Sequence, residues 1–336
     1  MDFLRTVAIL LVILAHSVLS YGAPQALAPL QFGGNGVDLF FVLSGWLLGN
    51  QLFKELNSTQ HIDIRKFWIR RWMRTFPAYY AVLTVSILQR YLTKDNVEFP
   101  WQYLIFVQNY HFPLDFFSIS WSLCVEEQFY LMIAPLLLLT YRTHHLGTTL
   151  ILLIMMILPL CFRQLGWYDD PKETHVRIDC CVAGILLAQI YRQYPNLWSQ
   201  LKGVALPLSL IALMLYVIFI IGRYFPEFGI DDPDKSILAL IFMSWVLMAN
   251  STDRLRKLLY FPGAYYIATR SYSLYLVHPE ALALMRRIFP DIWFPSYFLC
   301  TLAVSCLLAE ILYRFVEKPL MDMRENFEFS RQRTLV

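Results

Sequence analysis

The chain has 336 residues, of which 57% are hydrophobic and only 16% charged, against about 45–50% and 25% in soluble globular domains. This composition excludes an ordinary soluble enzyme, a disordered chain and a collagen-like repeat, while the length accommodates about ten membrane helices of roughly 20 residues each. The formal net charge of +3 is too small to point to nucleic acid. The six cysteines, Cys124, Cys161, Cys180, Cys181, Cys300 and Cys306, lie mostly in apolar runs. They lack the paired spacing of a zinc or redox motif, so they read as small buried hydrophobes and no metal site is expected.

Apolar runs interrupted by charge and proline predict an all-α, polytopic membrane protein with ten helices, near residues 3–22, 33–53, 75–93, 120–141, 147–165, 177–191, 203–222, 235–251, 265–285 and 292–316. The first run also has features of a secretory signal, but His16 interrupts its core and no small-x-small cleavage site follows, so it reads as a retained helix. Placing the N-terminus in the cytoplasm puts Arg5, the segment Lys54 to Arg74, Arg142, Arg192, Lys202, the segment Arg254 to Arg270 and the C-terminal tail with its approach from Arg314 on one side. That side then holds 19 of the 28 Lys and Arg, the asymmetry of the positive-inside rule, and both termini are expected to be cytoplasmic. The outer loops are acidic: Asp95, Glu98 and Asp115, then Asp169, Asp170 and Glu173, then Glu227, Asp231, Asp232 and Asp234. Trp101, Trp121, Trp167 and Trp293 fall where an interfacial aromatic belt is expected. There is no internal repeat or long linker. Residues 1–320 are expected to form one transmembrane domain and residues 321–336 a short cytoplasmic tail, with no extramembrane catalytic domain.

An ionisable side chain near the bilayer centre costs about 2.5–3.5 kcal/mol on insertion scales, so each one calls for a partner, a wet cavity or a function. On the first helix Arg5 and His16 are eleven residues apart, which is three turns plus about 20°, so both face the same way with a rise of about 16 Å between them. His16 then lies at membrane depth, a neutral ring able to accept a proton; a packing hydrogen bond to a neighbouring helix is the structural alternative. Asp38 opens the second helix beneath Gly33-Gly34-Asn35-Gly36, within reach of a cavity or as a simple first-turn carboxylate. The glycines themselves suit close helix approach. Arg71 and Arg74, three apart, share a face suited to gripping an anion such as a phosphate, or serve only to orient the span. Ser122, Glu126 and Tyr130 recur at i, i+4, i+8 and form one polar face, while Glu127 points about 100° away and is expected to pair with a basic group on a neighbouring helix. Tyr275 and His278 share a face in front of Pro279, which frees backbone carbonyls. Arg177 with Asp179, and Arg314 with Glu317 and Lys318, read as structural ion pairs.

Six blocks, in order, resemble the acyltransferase-3 family of integral-membrane acyltransferases, which includes O-acetyltransferases of bacterial surface polysaccharides. They are Asp2-x-x-Arg5 with ten residues before His16; Gly36-Val-Asp38-Leu-Phe-Phe-Val-Leu-Ser44-Gly45; Arg71-x-x-Arg74 followed by Pro77; Trp121-Ser-Leu-Cys-Val-Glu126-Glu127-Gln-Phe-Tyr130; Ser271-Tyr-Ser-Leu-Tyr275-Leu-Val-His278; and Tyr313-Arg-Phe-Val-Glu317-Lys-Pro319. Two positions depart from the family pattern. Cys124 stands where a Ser or Ala is usual, and His278 lacks its usual flanking tryptophan. The resemblance implies about ten helices in a bacterial cytoplasmic (inner) membrane, an acyl-CoA donor, by default acetyl-CoA, as co-substrate without a bound cofactor, and a hydroxyl acceptor. Its signature functional positions are the Arg5/His16 and Arg71/Arg74 pairs.

Together these readings predict that acyl-CoA docks its phosphates on Arg5, Arg71 and Arg74 and reaches His16, which acts as general base or transient acyl carrier. Glu126 or Asp38 is expected to orient its imidazole. Ser122, Tyr130, Tyr275 and His278 are candidate cavity lining. The acceptor, a carbohydrate or lipid-linked glycan, is expected to enter from the acidic, aromatic outer side, with membrane lipids around the helices. A transporter or flippase for a carbohydrate or lipid is the alternative, since midplane polar residues and broken helices suit it as well.

Overall fold

A computed structural model describes residues 1–94, 97–114, 116–141, 145–251 and 261–323. Arg142, the segment 254–257, the outer-loop residues Asp95 and Asp115, and most of the expected tail, 324–336, lie outside the described residues. Within them there is helix and no strand. Ten helices carry the fold: α1 (Asp2–Ser20), α2 (Gly36–Thr59), α3 (Ile64–Thr93), α4 (Trp121–Tyr141), α5 (His145–Leu165), α6 (Asp179–Gln193), α7 (Pro195–Tyr224), α8 (Lys235–Ser251), α9 (Ala264–Ile288) and α10 (Phe294–Leu312). Each predicted helix thus has a counterpart, but among the described residues only six segments are long and apolar enough to cross a bilayer: those containing α1, α2, α4, α5, α7 and α10. The protein is an integral membrane protein on that ground.

The other four helices differ for identifiable reasons. α6 is 15 residues long and is buried without a break from Asp179 to Gln189, so it lies inside the bundle and needs no apolar outer face. α8 is apolar but 17 residues long. α3 carries Arg65, Lys66, Arg70, Arg71, Arg74 and Arg90 along its length. α9 carries serines, tyrosines and His278, of which Ser271, Ser273, Tyr275 and His278 are buried. On the outside, α5, α7 and α10 keep most of their apolar surface exposed, as lipid-facing helices do.

The tightest seam is α2 against α6. A Cβ added at Gly45 would sit 2.0 Å from the Cys181 carbonyl oxygen, and one at Gly184 would sit 2.2 Å from the Val42 carbonyl oxygen and 2.5 Å from the Trp46 nitrogen. Two glycines facing each other let the backbones touch, the role that small residues take in membrane helix packing. α1 packs between α2 and α9, fastened by a second glycine pair: Gly33 against the Leu11 carbonyl and Gly36 against the Ala8 carbonyl, each at 2.5 Å from a notional Cβ. These contacts hold α1, with Arg5 and His16, against the centre of the bundle.

At one end of the bundle three cations meet three carboxylates. Arg177 donates to Asp38 at 2.7 Å, and Lys235 reaches Asp38 at 3.5 Å and Asn35 at 2.9 Å. Arg163 donates to Asp179 at 2.8 Å and to both carboxylate oxygens of Asp234 at 2.9 and 2.6 Å. Buried charges survive in this setting because each is paired and hydrogen-bonded. The network ties α2, α5, α6 and α8 together and corrects two expectations. Arg177 and Asp179 do not pair with each other but each with a distant residue. Asp38 is 1% exposed and spent on Arg177 and Lys235, which contradicts its expected place beside His16. At the C-terminal end of the described chain, Arg314 pairs with Glu310 and Lys318 with Asp322, while Glu317 is buried and accepts a hydrogen bond from Ser273 at 2.7 Å.

Candidate active site

A cavity of roughly 340 Å³ opens among α1, α2, α3, α4 and α9, within the range of small-ligand sites. Its polar lining is contributed helix by helix: Arg5 from α1, Ser44 and Gln51 from α2, Arg71, Arg74 and Thr75 from α3, Ser122, Glu126 and Tyr130 from α4, and Ser271, Tyr272 and Tyr275 from α9. Arg5 and the Arg71/Arg74 pair, far apart in sequence, therefore line the same cavity. Glu126 lies among them, as the i, i+4, i+8 face of α4 predicts, and Ser122 and Tyr130 lie above and below it.

The lining is held by a second layer of hydrogen bonds. The Arg71 guanidinium lies over the Tyr130 ring at 4.7 Å, and its Nε is buried without a hydrogen-bond partner among the described residues. The hydroxyls of Ser44 and Tyr130 are in direct contact. Thr75 donates to Glu127 at 3.0 Å, so Glu127 is fixed by a hydroxyl and turned from the cavity, where a basic partner was expected. Tyr272 donates to the Thr75 carbonyl at 2.7 Å, and Tyr275 donates to the Ile119 carbonyl at 3.0 Å while its oxygen lies 2.6 Å from that of Ser122. Rings and hydroxyls thus lock α3, α4 and α9 around the arginines.

His16 is not among the residues that line this cavity. It lies partly exposed along α1 from Arg5, and its Nδ1 is 2.7 Å from Nε2 of His278. The His278 ring is in turn 5.6 Å from that of Tyr275, which does face the cavity. His278, fully buried, is accordingly behind the lining and not part of it. The partner of His16 is this second histidine; neither Glu126 nor Asp38 hydrogen-bonds to it. Sequence reasoning did not single out Ser44 and Gln51 as lining residues. The signal was available: Val37, Phe40, Phe41, Ser44, Leu47, Leu48 and Gln51 all line the cavity and recur at the three- and four-residue steps of one helix face.

A family model described as an acyltransferase domain matches residues 1–314. Among curated proteins, a putative O-acetyltransferase of Staphylococcus aureus is 27% identical, with the match covering 95% of this chain and 56% of that protein. The peptidoglycan O-acetyltransferase OatA of Listeria monocytogenes is 26% identical over 95% of this chain and 55% of its own length. The O-acetyltransferase OatA of Staphylococcus aureus is likewise 26% identical, over 95% and 56%. The chain spans about half the length of these relatives. No solved structure matches it. The match over residues 1–314, joined to an all-helical membrane bundle in which Arg5, Arg71, Arg74 and Glu126 share a cavity, makes this chain a member of the acyltransferase-3 family.

Proposed function

We propose that the protein is an O-acetyltransferase that moves an acetyl group from acetyl-CoA to a hydroxyl of a cell-envelope glycan of the peptidoglycan kind, in the cytoplasmic membrane of a bacterium. The observation that carries this reading is the convergence of Arg5, Arg71 and Arg74 on one cavity. Three guanidinium groups lining one cavity, one with a buried unpaired N–H, suit a polyanionic donor, because arginine forks match phosphate oxygens two at a time. The relatives named as O-acetyltransferases support the acceptor chemistry. In this reading all ten helices belong to the membrane domain, six of them apolar enough to cross by their own hydropathy, with both termini and the arginine wall toward the cytosol.

The donor's phosphates rest on Arg5, Arg71 and Arg74, and its flexible arm spans the roughly 16 Å of α1 that separates Arg5 from His16. His16 Nε2 takes the proton of the acceptor hydroxyl as its oxygen forms a C–O bond to the thioester carbonyl. The C–S bond breaks, and the proton passes from His16 to the CoA sulfur. The alternative order, with acetyl first on His16 and then on the hydroxyl, uses the same nitrogen. Glu126, among the arginines, limits the excess positive charge when the donor is absent.

Purified protein in liposomes, given acetyl-labelled acetyl-CoA and soluble peptidoglycan fragments, is expected to release free CoA and to label the fragments in equal amounts. Transport of glycan without CoA release would replace this reading with that of a transporter.

A further inference from the structure

The contact between His16 and His278 has a chemical direction. His278 Nδ1 lies 2.7 Å from the Tyr275 carbonyl oxygen and 3.3 Å from that of Leu274. Both are acceptors only, so Nδ1 of His278 carries a proton, and in a neutral imidazole Nε2 is then a bare lone pair. His16 Nδ1, 2.7 Å from that lone pair, is the donor. The two rings are coplanar within 4°, with centroids 5.0 Å apart; with nitrogens in hydrogen-bond contact, this is an end-to-end alignment and not a face-to-face stack. His16 therefore holds its proton on Nδ1 and keeps Nε2 unprotonated.

The sequence supplies the free carbonyl on which this rests. In an uninterrupted helix the N–H of residue 279 would donate to the carbonyl of residue 275. Residue 279 is proline and has no N–H, so the Tyr275 carbonyl is left to His278. The adjacent His278-Pro279 pair is thus a device: the proline opens a carbonyl, the histidine takes it, and the ring is fixed with its lone pair toward α1.

We propose that His278 is the positioning residue of the transferase site, setting His16 in the one neutral tautomer whose Nε2 can act on the acceptor hydroxyl, the service that a carboxylate renders in Ser-His-Asp sites. This rests on the reading of His16 as base or acyl carrier. A second histidine does the work without placing an unpaired negative charge inside the membrane. When His16 gains a proton on Nε2, its Nδ1–H still donates to His278, so nothing in the pair has to turn during the reaction.

Histidine-selective 15N NMR of the wild-type protein, with the His16 signals assigned by their loss in His16→Ala, reads the tautomer directly. A protonated Nδ1 with bare Nε2 is expected, and a protonated Nε2 in the resting protein overturns the proposal. Kinetics supply the second reading. His278→Phe keeps the volume and removes the acceptor, so kcat is expected to fall by about 10²-fold, the lower range of acid–base contributions, with the acetyl-CoA KM unchanged. His278→Gln, which can place a carbonyl oxygen near the lost Nε2, is expected to recover most of that loss. Wild-type kcat in folded His278→Phe, beside an inactive His16→Ala, overturns the positioning role alone. An active His16→Ala overturns the underlying reading of His16.

Discussion

Replacing Arg71 by alanine separates a donor site from a topological signal. The guanidinium lies 4.7 Å above the Tyr130 ring with its Nε buried and unpaired, so its side chain is pre-set and loses little freedom when an anion arrives. A hydrogen bond to a charged group is worth about 1.5–3 kcal/mol. At about 1.4 kcal/mol per tenfold, removing the fork is expected to raise the KM for acetyl-CoA by roughly 10- to 150-fold. The phosphates are far from the reacting carbonyl and unchanged by the reaction, so kcat is expected to stay within about threefold, the signature of lost uniform binding. Initial rates of CoA release by reconstituted protein measure both constants. An acetyl-pantetheine donor without phosphates sharpens the assay: it is a poor donor for the wild type, and Arg71→Ala is expected to make it no worse, because the contact it lacks is the one removed. An unchanged KM for acetyl-CoA, or an equal rise for both donors, refutes the assignment of Arg71 to the phosphates.

Further predictions concern the frame around the site. Asp38→Asn leaves Arg177 and Lys235 facing an amide, and breaking such a buried pair costs about 3–5 kcal/mol; thermal unfolding in detergent is expected to show a large loss of stability, whereas a fully stable but inactive variant would return Asp38 to the chemistry. Gly184→Ala drives a methyl group onto backbone atoms of α2 at 2.2 and 2.5 Å, so at least the about 1–3 kcal/mol of an overpacked core is expected, and an unchanged melting temperature would contradict the α2/α6 seam. Asp234 lies in the loop before α8; burial alone would raise its pKa, but the hydrogen bonds and charge of Arg163 outweigh this and hold it below the ordinary carboxylate value. A depressed folded-state value means that the stabilisation is complete above the unfolded value of about 3.9 and is lost as pH falls through the folded one. Melting temperature is expected to decline below about pH 4, and Asp234→Asn is expected to flatten that decline; an identical acid limb in the variant refutes it.

Helix positions were legible because lipid and interior both demand apolar runs of a set length, and all ten runs fold as helices. The number of crossings was not, because a run such as 177–191 looks the same whether it meets lipid or other helices; α6 turned out to be enclosed on every side. At the site, periodicity placed Ser122, Glu126 and Tyr130 on one face and Arg71 with Arg74 on another, since those relations are local to a helix. Pairings across the bundle were not readable. Asp38 finds Arg177 at a separation of 139 residues and His16 finds His278 at 262, and nothing local to either residue names its partner. The excess of plausible carboxylates near His16 pointed to Glu126 or Asp38, while Pro279 beside His278 carried the better hint, a freed carbonyl able to fix a ring.

In the proposed reaction, acetyl passes from CoA to a glycan hydroxyl by way of His16. Its most direct test is transfer of labelled acetyl from acetyl-CoA to peptidoglycan fragments by His16→Ala protein, at matched membrane insertion and with donor affinity measured in parallel. The account predicts wild-type donor affinity, since Arg5, Arg71 and Arg74 are untouched, and no detectable transfer. Transfer at the wild-type rate would contradict it.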